Sequence, residues 1–422
     1  ELSSSDTGGG GLQNSGTGNA TIINSTFDQN QATGSGDGGA IFNTGQLTVA
    51  ATAFTGNSGD DGGAISAGAN SNTFIETSLF SGNMSAGEGG AIRVGGGNAF
   101  LNLSFSQLTG NMAGTNGGGL VAFSSGANVF IDSSTIDGNT ASGTGGGLQV
   151  GDQVSIVNST IFGNTSSSGV AGGGGIRVQP TGRLDLTSAT LAGNIAASRS
   201  GGALSVDSGG VVTASSSIFA DSTDGVSPIT DVDGSVTSFG TSIVESGGGA
   251  AGFDTVSGDQ FQDPLLDPGG LRDNGGPTPT VALQAIALGF GSNSPAIDAA
   301  GSHAEDDQRL VPRLAGSADI GAFEVDPQVY FVNTTADTPD ADSMDNLPID
   351  GSGNVSLRSA IMALNNFEGG NGVIILPPGQ FTLTQTSGGS ADSNATNDLD
   401  ISASNVRIIG TGSLSTRIDA SG

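Results

Sequence analysis

Between residues 8 and 221 one pair of landmarks recurs eight times, and this periodicity decides what the chain can fold into. The first landmark is a glycine pair or run closed by an aliphatic residue, at Leu12, Ile41, Ile65, Ile92, Leu120, Leu148, Ile176 and Leu204. Successive members are spaced by 29, 24 and 27, and then by 28 at each later step. The second is an apolar residue with asparagine three positions on: Phe27 and Asn30, Phe54 and Asn57, Phe80 and Asn83, Leu108 and Asn111, Ile136 and Asn139, Ile161 and Asn164, Leu191 and Asn194. The eighth copy reads Ile218 and Asp221, with aspartate in place of the amide.

Between landmarks the residues alternate apolar and polar, as in Gln46-Leu47-Thr48-Val49, with β-branched residues and no helical spacing. Each repeat therefore holds about three short strands separated by turns rich in Gly, Ser, Asn and Thr. One such coil cannot bury its own apolar face, so coils must stack about 4.8 Å apart. The expected fold is all-β, a right-handed parallel β-helix of roughly 27 residues per coil. Stacking predicts an interior column from Phe27 through Leu191 to Ile218. It also predicts a ladder of side-chain amides at Asn30, Asn57, Asn83, Asn111, Asn139, Asn164 and Asn194. A leucine at Asn111 should then be costly, and the same change at Asn98, outside the phased positions, nearly neutral. The glycine pairs mark corners that need positive φ or close backbone approach.

Composition removes several function classes. Forty acids against ten bases, all arginine, give a net charge of −30, which repels phosphate backbones and argues against nucleic-acid binding. With no cysteine there is no disulfide framework, thiolate metal site or cysteine nucleophile. Apolar runs fall far short of the ~20 residues of a transmembrane helix. The chain opens at Glu1 without a signal peptide and looks cut from something larger.

The two landmarks resemble the GGA[ILV] and FxxN repeats of the polymorphic outer membrane proteins, bacterial surface β-helices. The resemblance extends from the start of the chain to about Asp221 and implies a β-helical surface protein. Those proteins usually end in a membrane β-barrel. Nothing here resembles one, so autotransporter export is not carried over.

Beyond Glu245 the character changes. DNGGPTPT at 273–280, SPAID at 294–298, DQRLVPR at 307–313 and DIGAFE at 319–324 resemble the closing segment of large bacterial proteins that begin with a CSLREA-type domain. The opening segment of that family follows at once. Tyr330 to Asp337 is similar to its first strand, and Val355-Ser356-Leu357-Arg358-Ser359-Ala360 to its naming motif. Val355 stands where the family has cysteine and Ser359 where it has glutamate. The expected organisation is coils over 1–245, a closing segment over 246–325, and an opening segment over 326–422. From the residues, a short α-helix is expected near 356–366: Ser356 can cap it, and Leu357, Ile361 and Leu364 share a face. It is expected to cap an open end of the solenoid, whose bare strand edges invite aggregation.

The search for catalytic chemistry is mostly negative. Polysaccharide lyases need an arginine or other base beside carboxylate-bound calcium. Arg93 and Arg177 recur at matching points but three coils apart, and with Arg183 and Arg199 they read as solvated surface. His303 is the only histidine and reads as a solvated loop residue. Paired carboxylates at Asp37, Asp60 and Asp61 lack the motifs of a glycoside hydrolase. No Gly-x-Ser-x-Gly elbow is present. Two acidic features remain as candidate calcium sites. Asp37, Asp61 and Glu88 precede the glycine corner in successive coils, and stacked carboxylates repel unless a cation or protons intervene. Asp337, Asp340, Asp342, Asp345 and Asp350 form an oxygen-dense run without EF-hand spacing. Rows at Ser25-Thr26, Thr77-Ser78, Ser134-Thr135 and Ser159-Thr160 could face ice, but vary too much for a flat lattice match.

The reading is a structural or adhesive segment of a large secreted bacterial surface protein, extracellular or at the cell surface, without catalysis. The alternative is a carbohydrate-active enzyme resembling a polysaccharide lyase, whose acidic substrate a charge of −30 would repel. Expected partners are copies of the chain end to end or adjacent units of a tandem protein, together with surface glycans or a neighbouring cell. Joining Gly422 to a second Glu1 would set the next Leu12 at a spacing of 16 from Ile418. The same step within the chain takes spacings of 11 to 15, so a corner loop could absorb the difference.

Overall fold

The computed structural model describes residues 3–4, 8–123, 126–168, 172–197, 201–223, 230–246, 249–285, 292–313, 318–325, 329–342, 347–366, 371–385, 399–402, 405–412 and 415–420. Its contacts divide into two units. The first comprises 1–272, 278–308 and 312–324, and the second 273–277, 309–311 and 325–422.

The first unit is a parallel β-solenoid of about eight turns, with three main strands per coil. In one coil these are Ile92–Gly95, Phe100–Ser104 and Gln107–Thr109. Each pairs in register with its counterparts one coil before and after: Ile92 lies between Ile65 and Leu120, and Leu108 between Phe80 and Ile136. A fourth sheet of two-residue strands, such as Met84–Ser85, was not foreseen. The alternation expected from sequence places Leu101 and Leu103 in the core and Phe100, Asn102 and Ser104 outside. One continuous core runs through the coils from Ile41 to Phe253. Each fully buried Leu, Ile or Phe contributes about 1.5–3 kcal/mol. Phe27, Phe54 and Phe80 stack nearly parallel within it, with ring centroids 5.0 and 4.6 Å apart.

At the last landmark the register differs from the expectation. Leu191 pairs with Phe219, not Ile218, which instead stacks on Thr190. Counting three positions on from Phe219 gives Ser222, and the Asn194 backbone N–H does bond Ser222 Oγ at 3.1 Å.

The corners are of two kinds. At the glycine corner, Gly89 has φ +66°, and a Cβ there would meet Ile92 O at 2.4 Å. Its neighbour Gly90 would place a Cβ 2.1 Å from Gly118 O in the next coil, so the first glycine turns the chain and the second lets coils approach. The corner between the five-residue strand and the landmark strand needs no glycine. Asn24, Ala51, Thr77, Phe105, Ser133, Asn158, Ser188, Ser216 and Thr241 all sit there with φ between 44° and 57°. After Asn24, Ala51, Thr77, Phe105, Ser133, Ser188 and Ser216 the chain turns so that the following N–H meets a hydroxyl of the next coil. After Thr241 it meets Asp259 Oδ1 instead. Thr52 N–H bonds Ser78 Oγ, Ser78 N–H bonds Ser106 Oγ and Ser106 N–H bonds Ser134 Oγ, at 3.0–3.2 Å. The left-handed conformation is strained for a β-branched residue by about 1–2 kcal/mol. Thr77 is exposed. Thr77→Gly is therefore expected to stabilise the protein by about 0.5–1 kcal/mol in urea unfolding, strain relief less the added unfolded-state entropy.

The serine and threonine rows are consequently not an ice-facing lattice. Ser78 belongs to the hydroxyl ladder, and Ser134, Thr135, Ser159 and Thr160 are buried. Residues of the closing segment cover them: Gln308 Nε2 donates to Thr135 Oγ1 at 2.8 Å, and its Oε1 accepts from Thr160 Oγ1 at 2.6 Å. Within that segment Leu266–Arg272 and Thr280–Leu283 form an antiparallel hairpin. Solenoid pairing itself runs past residue 245, to Gly249–Ala251.

The second unit holds α1, Leu357–Asn366, the one helix among the described residues. Leu357, Ala360, Ile361 and Leu364 pack with Ile374, Leu376 and Phe381 in a core of their own. Asn371–Leu376 and Gly379–Thr382 make one coil-like step, and Asn405–Gly410 and Thr416–Asp419 pair in parallel with them as the next. The helix face is thus taken up by its own unit.

Candidate functional site

Three polar constructions carry the residues singled out by sequence. The first is the asparagine column. Each Oδ1 accepts both the backbone N–H and a side-chain N–H of the asparagine one coil earlier: Asn83 N and Nδ2 both donate to Asn111 Oδ1 at 2.9 Å. The second side-chain proton goes to a carbonyl of the preceding coil, as from Asn111 Nδ2 to Phe80 O at 3.0 Å. The same pattern joins Asn30, Asn57, Asn83, Asn111, Asn139, Asn164 and Asn194. From Asn57 to Asn194 each amide is satisfied on both sides, so the column binds coil to coil.

The second is the acidic corner. Asp37 and Asp61 do lie close together, and Arg93 lies with them: Arg93 NH1 is 3.7 Å from Asp37 Oδ2, and Nε 3.2 Å from Asp61 Oδ2. Burial pushes the Asp37 carboxyl up, the guanidinium pulls it down, and the charges of Asp61 and Asp60 add to the rise. Glu88 accepts instead from Asn116 Nδ2 at 3.2 Å, while its N–H donates to Asp61 Oδ1 at 2.7 Å. The countercharge at this corner is the chain's own arginine. Reading Arg93 and Arg177 as solvated surface was therefore mistaken. Both are only partly exposed and ion-paired, and Arg177 pairs with Asp207 at 2.7 Å.

The third is the acid-rich run of the second unit. Asp337 is buried against the equally buried Arg358, with Nε 2.6 Å from Oδ1. Its other oxygen accepts the N–H groups of Thr384 and Gln385 at 2.6 and 2.9 Å. Burial pushes this carboxyl up, but the guanidinium and the two N–H bonds outweigh it and hold Asp337 below its usual range. Asp350 accepts from Thr338 Oγ1, Asn354 N–H and Ser352 N–H, which lowers it too. Asp340 Oδ1 accepts the Asp342 N–H at 3.2 Å. Asp345, like Arg199, lies outside the described residues. Among those described, no group of three or more acids or histidines is placed to hold a metal. Arg93 and Arg358 supply countercharge at two of these acids. If calcium is held there as well, a chelator should lower the melting temperature, and an unchanged curve in excess chelator would remove both sites.

Sequence reasoning missed one surface. Along the five-residue strands Phe74, Phe100 and Phe130 alternate with buried residues and so face outward. Phe74 and Phe100 lie 5.5 Å apart, tilted by 51°, beside Asn72, Asn102 and Asn128. Strand parity was the available signal: each phenylalanine is one position out of phase with the interior Ile75, Leu101 and Val129.

Residues 24–44 and 77–95 match the model of the Chlamydia polymorphic membrane protein (Chlamydia_PMP) repeat. Each stretch runs from an FxxN landmark through the following GGAI, and neither reaches 246–422. No curated protein and no solved structure matches the chain. Among the described residues no helix is long and apolar enough to cross a membrane.

Proposed function

We propose that the chain is a structural and adhesive segment of a large bacterial surface protein, a repeat unit of an extracellular fibre. The repeat match suggests the bacterial surface, and the polar columns suggest a scaffold, since their groups are engaged in holding coils together. The observation that carries the fibre reading is the pair of strands Asn405–Gly410 and Thr416–Asp419. Among the described residues each is paired on one edge alone. On them Ile408 and Ile418 are 38% and 47% exposed, apolar side chains on edges that a further coil would cover. At the first coils of the solenoid Leu12, Ala20, Ile22 and Phe27 are likewise only partly buried. Such edges favour parallel continuation by an adjacent unit or by a second copy of the chain. The adhesive half of the reading rests on the outward phenylalanines, whose faces flanked by amides suit neutral surface glycans.

Light scattering on the purified chain tests the self-association form of this reading. Mass rising with concentration is expected, and Ile418→Lys should abolish the rise. A strictly monomeric solution at every concentration would leave only covalent tandem units.

A further inference from the structure

The amide column does not run to the end of the first unit. Asn194 N–H bonds Ser222 Oγ at 3.1 Å, and Ser222 N–H bonds Asp231 Oδ1 at 3.0 Å. The other oxygen of that carboxyl accepts the N–H of Ser246 at 2.9 Å. The Asp231 backbone carbonyl accepts from Ala203 and Leu204, at 2.9 and 3.0 Å, and its N–H bonds Ser246 O at 3.0 Å. One residue with no exposed surface thus ties the strand at Leu204, its own strand and Ser246 together. It does so with an ionisable acid where seven earlier coils use a neutral amide.

We infer that Asp231 is an acid-tightened latch, which locks the last coils of the solenoid at mildly acidic pH and loosens them as the pH rises. The groups facing it sharpen the effect. Glu245 and Asp221 are both acidic, and Asp263 adds its charge to theirs at Asp221. Asp233 lies two positions along the same stretch. Burial pushes the carboxyl up to about 7. The N–H groups of Ser222 and Ser246 oppose this, and the charges of Glu245 and Asp221 add to it. An acid raised in this way binds a proton in the folded state that it has lost in the unfolded one, from about pH 4 upward. Its stabilising effect is present in acid and is lost as the pH climbs to about 7. Above that the carboxylate stays ionised among other acids.

Hydrogen exchange of the whole chain, corrected for intrinsic rates, tests the latch under conditions where protection follows the opening equilibrium. Peptides within 201–223 and 230–246 are compared with peptides around Asn111. From pH 5 to 7 the latch peptides should lose up to about tenfold in protection per pH unit relative to the central ones. In Asp231→Asn, where an amide imitates the protonated acid, that difference should be flat. Glu245→Gln, which keeps the oxygen bonded to the Asp221 N–H at 2.7 Å, should move the end of the fall to lower pH. A pH-independent difference in the parent chain would overturn the proposal. So would an equal fall in Asp231→Asn, or an unmoved one in Glu245→Gln.

Discussion

Replacing Asn111 by leucine should cost about 3–5 kcal/mol in urea or thermal unfolding, more than a single lost hydrogen bond. The side chain is 1% exposed and is both acceptor and donor in the column. Without it the N–H and Nδ2 of Asn83 lose their acceptor, and Phe80 O and Asn139 Oδ1 each lose a donor. Buried groups left unpaired cost about 1–3 kcal/mol each. Asn98 is a poor control, because it has φ 58° and a leucine there would add backbone strain. Asn102→Leu is the better one: it faces outward between Phe74 and Phe130 and should be nearly neutral. Equal costs at 111 and 102 would mean that the column does not hold the coils.

The second large effect is expected in the other unit. Arg358→Met removes the guanidinium from the buried Asp337 and should destabilise by about 3–5 kcal/mol near pH 7. Tyr330 is the only tyrosine, and it is buried in the same cluster as Leu357 and Ile361. The chain has no tryptophan, so tyrosine fluorescence reports on this unit alone. In the parent chain the depressed Asp337 carboxyl contributes stability that is present above about pH 4 and lost as the pH falls through its folded pKa. The gap between parent and variant should therefore narrow in acid. Asp337→Asn added to Arg358→Met should recover part of the loss, because it removes the buried charge while its amide oxygen can still accept the N–H groups of Thr384 and Gln385.

How far the sequence could be read depended on whether a residue type or a stacking neighbour set the outcome. The interior columns were legible because alternation and a near-constant period force Ile92, Leu101 and Leu108 inward whatever their neighbours. The amide column was legible because few side chains can donate and accept in the same way at every coil. The non-glycine corner was not. Its conformation is imposed by the coils above and below, so residues as different as Ala51, Thr77 and Phe105 share it. Serine and threonine rows have two physical meanings, solvent-facing and laddered, and only burial separates them. The ion pairs depend on reach across coils. Arg93 lies more than a full coil beyond Asp61, and Arg358 is also far along the chain from Asp337, so neither pairing follows from local pattern. The last landmark misled because Ile218 and Phe219 are both apolar, and the pairing of Ser222 with Asn194 decides between them.

On the proposed reading, strands 405–410 and 416–419 begin a stack that the coils of an adjacent unit continue. The decisive experiment uses a chain of two copies joined from Gly422 to Glu1, compared by hydrogen exchange with the single chain at a concentration too low for association. Strong new protection is expected in 405–410 and 416–419 of the first copy, and in 19–23 and 26–28 of the second. Protection in those strands identical to that of the single chain would contradict the reading.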